Sequence, residues 1–193
     1  MSTDVLRTAE AMADGLQKES MGVVGYGVAT VCDHSGAVVQ EVPFANLVTT
    51  AGDKWYAQAV AAAAGGAAAS PGAPTGMKLG TGQTAAAKSG TGANIVTYLT
   101  GSNNTFDVTT VASAVAGTDT GWQVKYECYW ADGDVTSATI WEVALVNDTV
   151  ANNADGSTVA NTYARVKLPT VVDKSVAGYT LRIAWYHKFL GSA

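Results

Sequence analysis

From Val23 onward, apolar and polar side chains alternate with a period of two; before that point they do not. Residues 2 to about 20 follow a helical period instead, with Val5, Leu6, Ala9, Met12, Ala13 and Leu16 on one stripe and Ser2-Thr3-Asp4 able to cap its start. Gly15 and the weak stripe make such a helix marginal alone, so its order has to come from docking, on the body of the protein or on another subunit. In the first two-residue run, Tyr26, Val28, Thr30 and Cys32 share a face, Asp33-His34-Ser35-Gly36 supplies a turn, and Ala37 to Val42 returns as the second strand of a hairpin. Pro43 has no N–H to donate and is expected to stop that ladder.

The stretch "NLVTTAGDKWYAQAVAAAAGG" starts extended at Leu47-Val48 and turns helical near Gly52-Asp53. Trp55, Ala59 and either Ala62 or Ala63 form its apolar stripe, and Gly65-Gly66 ends it. A Gly/Pro/Ala loop, 66–76, follows, and Gly80, Gly82, Gly90 and Gly92 bracket a polar segment of small residues. The rest reads as strands: "ANIVTYLT", "TFDVTTVASAV", "WQVKYECYW", "TSATIWEVALVND", "TYARVKLP" up to Pro169, and "YTLRIAWYHKF". The cleanest alternation puts Val124, Tyr126, Cys128 and Trp130 on one face and Gln123, Lys125 and Glu127 on the other. Ile140 to Val146 is apolar on both faces apart from Glu142, the pattern of a central strand. The expected fold class is mainly β, an antiparallel β-sandwich or jelly-roll-like domain over residues 23–193, with one Ala-rich helix and an N-terminal arm or short helix over 1–22.

Composition narrows the functional classes. Charged residues make up 14% of the 193, and 11 Lys+Arg against 16 Asp+Glu leave a net charge of -5 with no basic patch. Nucleic acid is therefore not an expected partner, since displacing counterions from phosphates needs clustered cations. The N-terminal twenty residues carry acids early and lack the apolar core of a secretory signal, and Ala57 to Ala69 is too weakly hydrophobic for a membrane span. No membrane partner is expected. Cys32 and Cys128 lie far apart in no metal-ligand spacing, and read as buried thiols outside any disulfide.

Few groups offer chemistry. Gly80-Thr81-Gly82 lacks the Gly-Lys-Ser/Thr of a phosphate loop and reads as a turn needing positive φ. His34 sits in a hairpin turn whose Asp33 and Ser35 serve turn geometry, and His187 alternates with Trp185 and Phe189 as a core or edge residue. Asp132, Asp134, Asp148 and Asp155 with Asn147, Asn152 and Asn153 could supply oxygens to Ca²⁺, but their spacing matches no calcium loop and solvated turns are expected. Glu142 has no second carboxylate at a spacing suited to an acid/base pair; a partner in Arg165, Arg182 or a backbone amide, or a place at a subunit contact, is expected instead. Most aromatics fall at strand period, and Tyr129 and Tyr186 are the ones expected at the surface, where they could stack on sugar rings. No catalytic, metal or cofactor site is expected.

Taken in order, "FANLVTTAGDKWYAQ", "GMKLGTGQTAAAKSGTGANIVTYL", "TSATIWEVALVND" and "TYARVKLPTVVDKSVAGYTLRIAWYHKFLG" resemble a widespread group of tailed-bacteriophage virion structural proteins. The residues that carry the likeness are Asn46-Leu47-Val48-Thr49, Gly80-Thr81-Gly82, Ile140 to Val146, Tyr163-Ala164-Arg165 and Thr180 to Trp185, within about residues 44 to 191. The chain departs from the group's pattern at Trp141, where a Thr is more usual, and in its N-terminal portion. The resemblance implies a non-enzymatic β-sandwich component of a virion, assembled in the bacterial host cytoplasm. It would act as a homo-oligomer contacting major capsid or tail subunits, as a capsid decoration or minor capsid protein. The alternative station is the tail, as a tip or fibre adaptor or a receptor- or glycan-binding module.

Overall fold

A computed structural model describes residues 3–15, 23–70, 72–113, 122–147 and 156–189. In chain order its elements are α1 (Thr3–Gly15), β1 (Val23–Cys32), β2 (Val38–Val48), α2 (Thr50–Ala63), β3 (Pro74–Gly80), β4 (Asn104–Thr105), β5 (Val108–Ser113), β6 (Trp122–Trp130), β7 (Ile140–Asn147), β8 (Thr162–Val172) and β9 (Thr180–Phe189). The fold is mainly β and antiparallel in every registered pair, with the Ala-rich helix where the sequence places it. The chain groups into two compact units, one of Met1–Asn46, Phe106–Ala138 and Pro169–Ala193, the other of Leu47–Thr105 and Thr139–Leu168. Each is built from segments distant in sequence.

In the first unit the strand order is β2-β1-β9-β6-β5. One face of β1 and β9 carries Val24, Tyr26, Val28, Ala184 and Tyr186, and α1 lies on it with Ala9 fully buried and Val5 and Leu6 half-buried. The helix therefore docks on the protein's own core, although Met12, on the same stripe, stays 40% exposed. Tyr26 and Tyr186 stack with ring centroids 5.1 Å apart, the Tyr26 hydroxyl donates to Gln123 Oε1 at 2.5 Å, and Lys188 Nζ reaches Glu10 Oε1 at 2.8 Å. Gln123 and Glu127, on the face opposite the apolar row of β6, are buried as well. The opposite face holds Trp130, Leu181, Ile183 and Trp185, each contributing about 1.5–3 kcal/mol through burial. Gly27 is glycine because Phe44 packs edge-on to Trp185 there, and a β-carbon would lie 2.4 Å from the Ala184 carbonyl and 2.5 Å from the Phe44 ring.

Pro43 does not end β2, which runs on to Val48 with Pro43 opposite Val28. On its other edge β2 is paired with β8 only at Leu47 and Val48, so a missing N–H at position 43 costs no bond on that side. β8 likewise continues past Pro169 to Val172. The second unit has the order β4-β3-β7-β8 with the end of β2 beyond β8. β7 is flanked on both edges and buried along nearly its whole length, as its two apolar faces require. "ANIVTYLT" is no strand: a 3-10 turn, Gly90–Ala93, ends on its first residue, and it makes a single bridge, Gly80 to Tyr98.

His187 is fully buried among Tyr126 and Trp185, and its Nε2 accepts the Trp185 indole N–H at 3.0 Å. Burial disfavours the charged ring and depresses its pKa to about 3 from the ordinary 6.5. The unfolded chain thus binds this proton below about pH 6.5 and the folded one does not until about pH 3. His187 stabilises the fold fully above the first value, and that contribution is lost at up to about 1.4 kcal/mol per unit as pH falls toward the second. Urea midpoints measured from pH 7 down to pH 4 should fall, and the fall should be smaller in His187→Gln, which keeps an acceptor for Trp185. An equal slope in both proteins would reject the neutral imidazole as its source.

Candidate functional site

The one fully buried ion pair among the described residues joins Glu142 on β7 to Arg165 on β8. Arg165 Nε and Nη2 both donate to Glu142 Oε2, at 3.0 and 2.5 Å. Three backbone N–H groups complete the carboxylate shell: Gly82 and Thr97 to Oε1 at 2.9 and 2.8 Å, and Val96 to Oε2 at 3.1 Å. The guanidinium then turns its remaining N–H groups on backbone carbonyls, Nη1 to Gly92 at 3.1 Å and Nη2 to Thr84 at 2.9 Å. Segment 81–97 has almost no regular structure, and its inward backbone groups must still find partners. Glu142 and Arg165 supply them in place of a strand ladder, which explains why "ANIVTYLT" does not pair as one.

Gly80 and Gly82 are not the positive-φ turn expected of them; positive φ falls at Gly90 and elsewhere. They are glycines because a β-carbon at either would lie 2.5 Å from Glu142 Oε1. A carboxylate filled by five donors in a closed interior has no lone pair directed at a substrate, so its chemistry is that of a latch.

A second knot adjoins it along β8. Thr49 caps α2, accepting the Gly52 N–H at 3.1 Å while its hydroxyl donates to the Thr162 carbonyl at 2.5 Å and its N–H to Tyr163 at 2.9 Å. Gly52 packs so closely that a β-carbon would sit 2.1 Å from the Tyr163 carbonyl oxygen, and Trp55 lies over the Tyr163 ring at 5.6 Å.

The other sequence candidates stay apart. Arg182 pairs with Glu127 at 2.6 Å; burial pushes that carboxyl up, but Lys125 and Arg182 together hold it below the usual range. Asp33 Oδ1 accepts from Ser35 N, Ser35 Oγ and Ala37 N at 2.8, 2.6 and 3.0 Å, and the Ser35 hydroxyl is the chief reason its carboxyl titrates low. Asp132 and Asp134 bond Gly178 N and Ala131 N, as turn residues do. Asn147 is buried, its Nδ2 donating to Asn161 Oδ1 at 2.9 Å, and Asp148, Asn152, Asn153 and Asp155 lie outside the described residues. Among the described residues no three His, Cys, Asp or Glu side chains gather as metal ligands, and neither cysteine is in a disulfide; Cys128 is buried and Cys32 half-buried. Tyr129 is exposed, but Tyr186 is only 7% so, because α1 covers the face it shares with Tyr26. Lys174 was not singled out by any motif, yet it is buried and donates from Nζ to the Ala131 and Val135 carbonyls at 2.8 and 2.9 Å. No family model, curated protein or solved structure matches the chain.

Removing one partner of the latch strands the other charge in the interior. Arg165→Met should lower stability by about 3–5 kcal/mol and Gly82→Ala by less, both read from urea unfolding. The double change Glu142→Gln with Arg165→Met should recover part of the Arg165→Met loss; strictly additive losses would mean that the two side chains are not coupled.

Proposed function

We propose that this chain is a non-enzymatic structural component of a bacteriophage virion, a decoration or minor capsid protein that binds neighbouring head subunits in many copies. The observation carrying this reading is that most of the segments behind the resemblance, Asn46 and Thr180 to Trp185 excepted, meet within the second unit. Leu47 to Thr49, Gly80 to Gly82, Glu142 and Arg165 form two adjoining knots where α2, one irregular segment and four strands, β2, β3, β7 and β8, come together. Motifs that converge on a framework contact support a shared framework, whereas motifs that converge on a cleft would support a shared reaction.

The surface agrees with a role in assembly. β5 pairs only with β6 among the described residues, and on one face of this pair Val111 of β5 and Trp122 of β6 are 68% and 62% exposed. Large exposed apolar side chains at the end of a sheet, one of them on its edge strand, suit a contact with another subunit, and a stable one removes about 1,200–2,000 Å² from water. A low charge content leaves few ions to strip from such an interface. The head is preferred to the tail because the chain has no repeated stalk of the fibre kind.

Mass spectrometry of separated heads and tails, from particles of the phage that carries this gene, should find the chain in heads at many copies. Recovery in tails would move it to the tip or fibre adaptor role, and absence from both would overturn the proposal. Val111→Ser combined with Trp122→Ser should reduce copies per particle severalfold while leaving the thermal midpoint of the isolated protein nearly unchanged.

A further inference from the structure

At one end of the first unit's sheet, turns from distant parts of the chain converge: Asp33 to Gly36 after β1, Ala131 to Val135 after β6, and 173–179 before β9. They are tied to one another. Gly178 N donates to Asp132 Oδ1 at 2.9 Å, Lys174 Nζ bridges the Ala131 and Val135 carbonyls, and Lys174 N donates to the Ser137 carbonyl at 2.8 Å. Gly178, at φ 85°, passes so near the first turn that a β-carbon there would stand 3.2 Å from that of His34. Between the turns lies a cavity of about 420 Å³ lined by Asp33, His34, Tyr129, Asp132, Gly178 and Thr180 among others. That is within the ~300–1,000 Å³ range of small-molecule sites.

The β6–β9 register places Tyr129 opposite Arg182 and Lys125 opposite Tyr186, so Tyr129 lies on the sheet face that α1 covers at Tyr186. Toward the other end of that face Tyr129 is 44% exposed and lines the cavity. Each carboxylate in the wall uses one oxygen to brace its own turn or the next: Asp33 Oδ1 takes three donors and Asp132 Oδ1 one. Among the described residues, the second oxygen of each accepts no hydrogen bond. These acceptors are held in place before any ligand arrives, which limits the ordering cost of binding.

We propose that this cavity binds a neutral saccharide. The Tyr129 ring offers a flat apolar face for the C–H side of a pyranose, and the second oxygens of Asp33 and Asp132, with His34 and the Thr180 hydroxyl, take its hydroxyl groups. An anion is disfavoured by the two acids. A cation is less suited than a sugar, because the Lys174 ammonium already faces Asp132 and Asp134, and Arg182 lies opposite Tyr129. What the wall has left to offer is hydrogen-bond acceptance beside an aromatic ring.

The inference is separate from the virion role. Sugar binding by a chain absent from particles would keep this inference and remove the other, and incorporation without sugar binding would do the reverse. The test is saturation-transfer NMR on the full chain with methyl glycosides of glucose, galactose, mannose, N-acetylglucosamine and rhamnose at millimolar concentration, with spermine as the cationic comparison. At least one glycoside should bind saturably. Affinity should weaken about tenfold or more in Tyr129→Ala and in Asp132→Asn, which retains the acceptor for Gly178, and persist in Tyr129→Phe. Matching melting curves would exclude a folding loss in the variants. No saturable glycoside, binding indifferent to Tyr129→Ala, or salt-sensitive binding of spermine alone would each overturn the proposal.

Discussion

A carboxylate and a guanidinium buried together, each filled with hydrogen bonds, are what the second unit is organised around. Neither Glu142 nor Arg165 is exposed, and moving either ion from water into the interior is costly by itself. Their mutual contacts and five further bonds to backbone groups offset that cost. The pair's value lies less in net stability than in shape. An apolar pair of equal volume could fill the space, but it could not satisfy the N–H groups of Gly82, Val96 and Thr97 or the carbonyls of Thr84 and Gly92. The requirement runs outward from there: Gly80 and Gly82 have to be glycine because the carboxylate sits against their backbone.

The first unit solves a different problem, that of a sheet buried on two faces. One face carries the buried layer of Trp130, Ile183 and Trp185, and the other is closed by α1 resting on Tyr26 and Tyr186. Closing the second face buries charge as well as rings, and Lys188 meets Glu10 of the helix. A helix too weak to form alone is thereby held by apolar contact and an ion pair. The same helix separates the two aromatics of that face: it covers Tyr186, while Tyr129 stays exposed.

Function divides along these lines. The interior acid that stood out in the sequence is engaged in architecture, and the exposed apolar pair Val111 and Trp122 is the surface proposed for assembly. The cavity beside Tyr129 belongs to neither. Its acids looked like ordinary turn residues, and they are, but bracing a turn with one oxygen leaves the other oriented by the same bond.

Much of this was legible from side-chain order alone. A two-residue rhythm is a local property of extended backbone, so the strands near 23–32, 122–130, 140–147 and 180–189 could be read directly, as could the helical period before them and the alanine-rich α2, though not its Thr49 cap. Turn chemistry at Asp33 to Gly36 was equally local. Tertiary structure alone decided whatever depended on a neighbour distant in sequence. Pro43 is tolerated because β2 meets β8 only further along, at Leu47 and Val48, and "ANIVTYLT" is irregular because a side chain 45 residues away takes the Thr97 N–H its ladder would have used. Tyr186 is covered because a helix from the other end of the chain lies on it. Alternation fixes which face a residue points to; what waits on that face is set by packing, which no local pattern encodes.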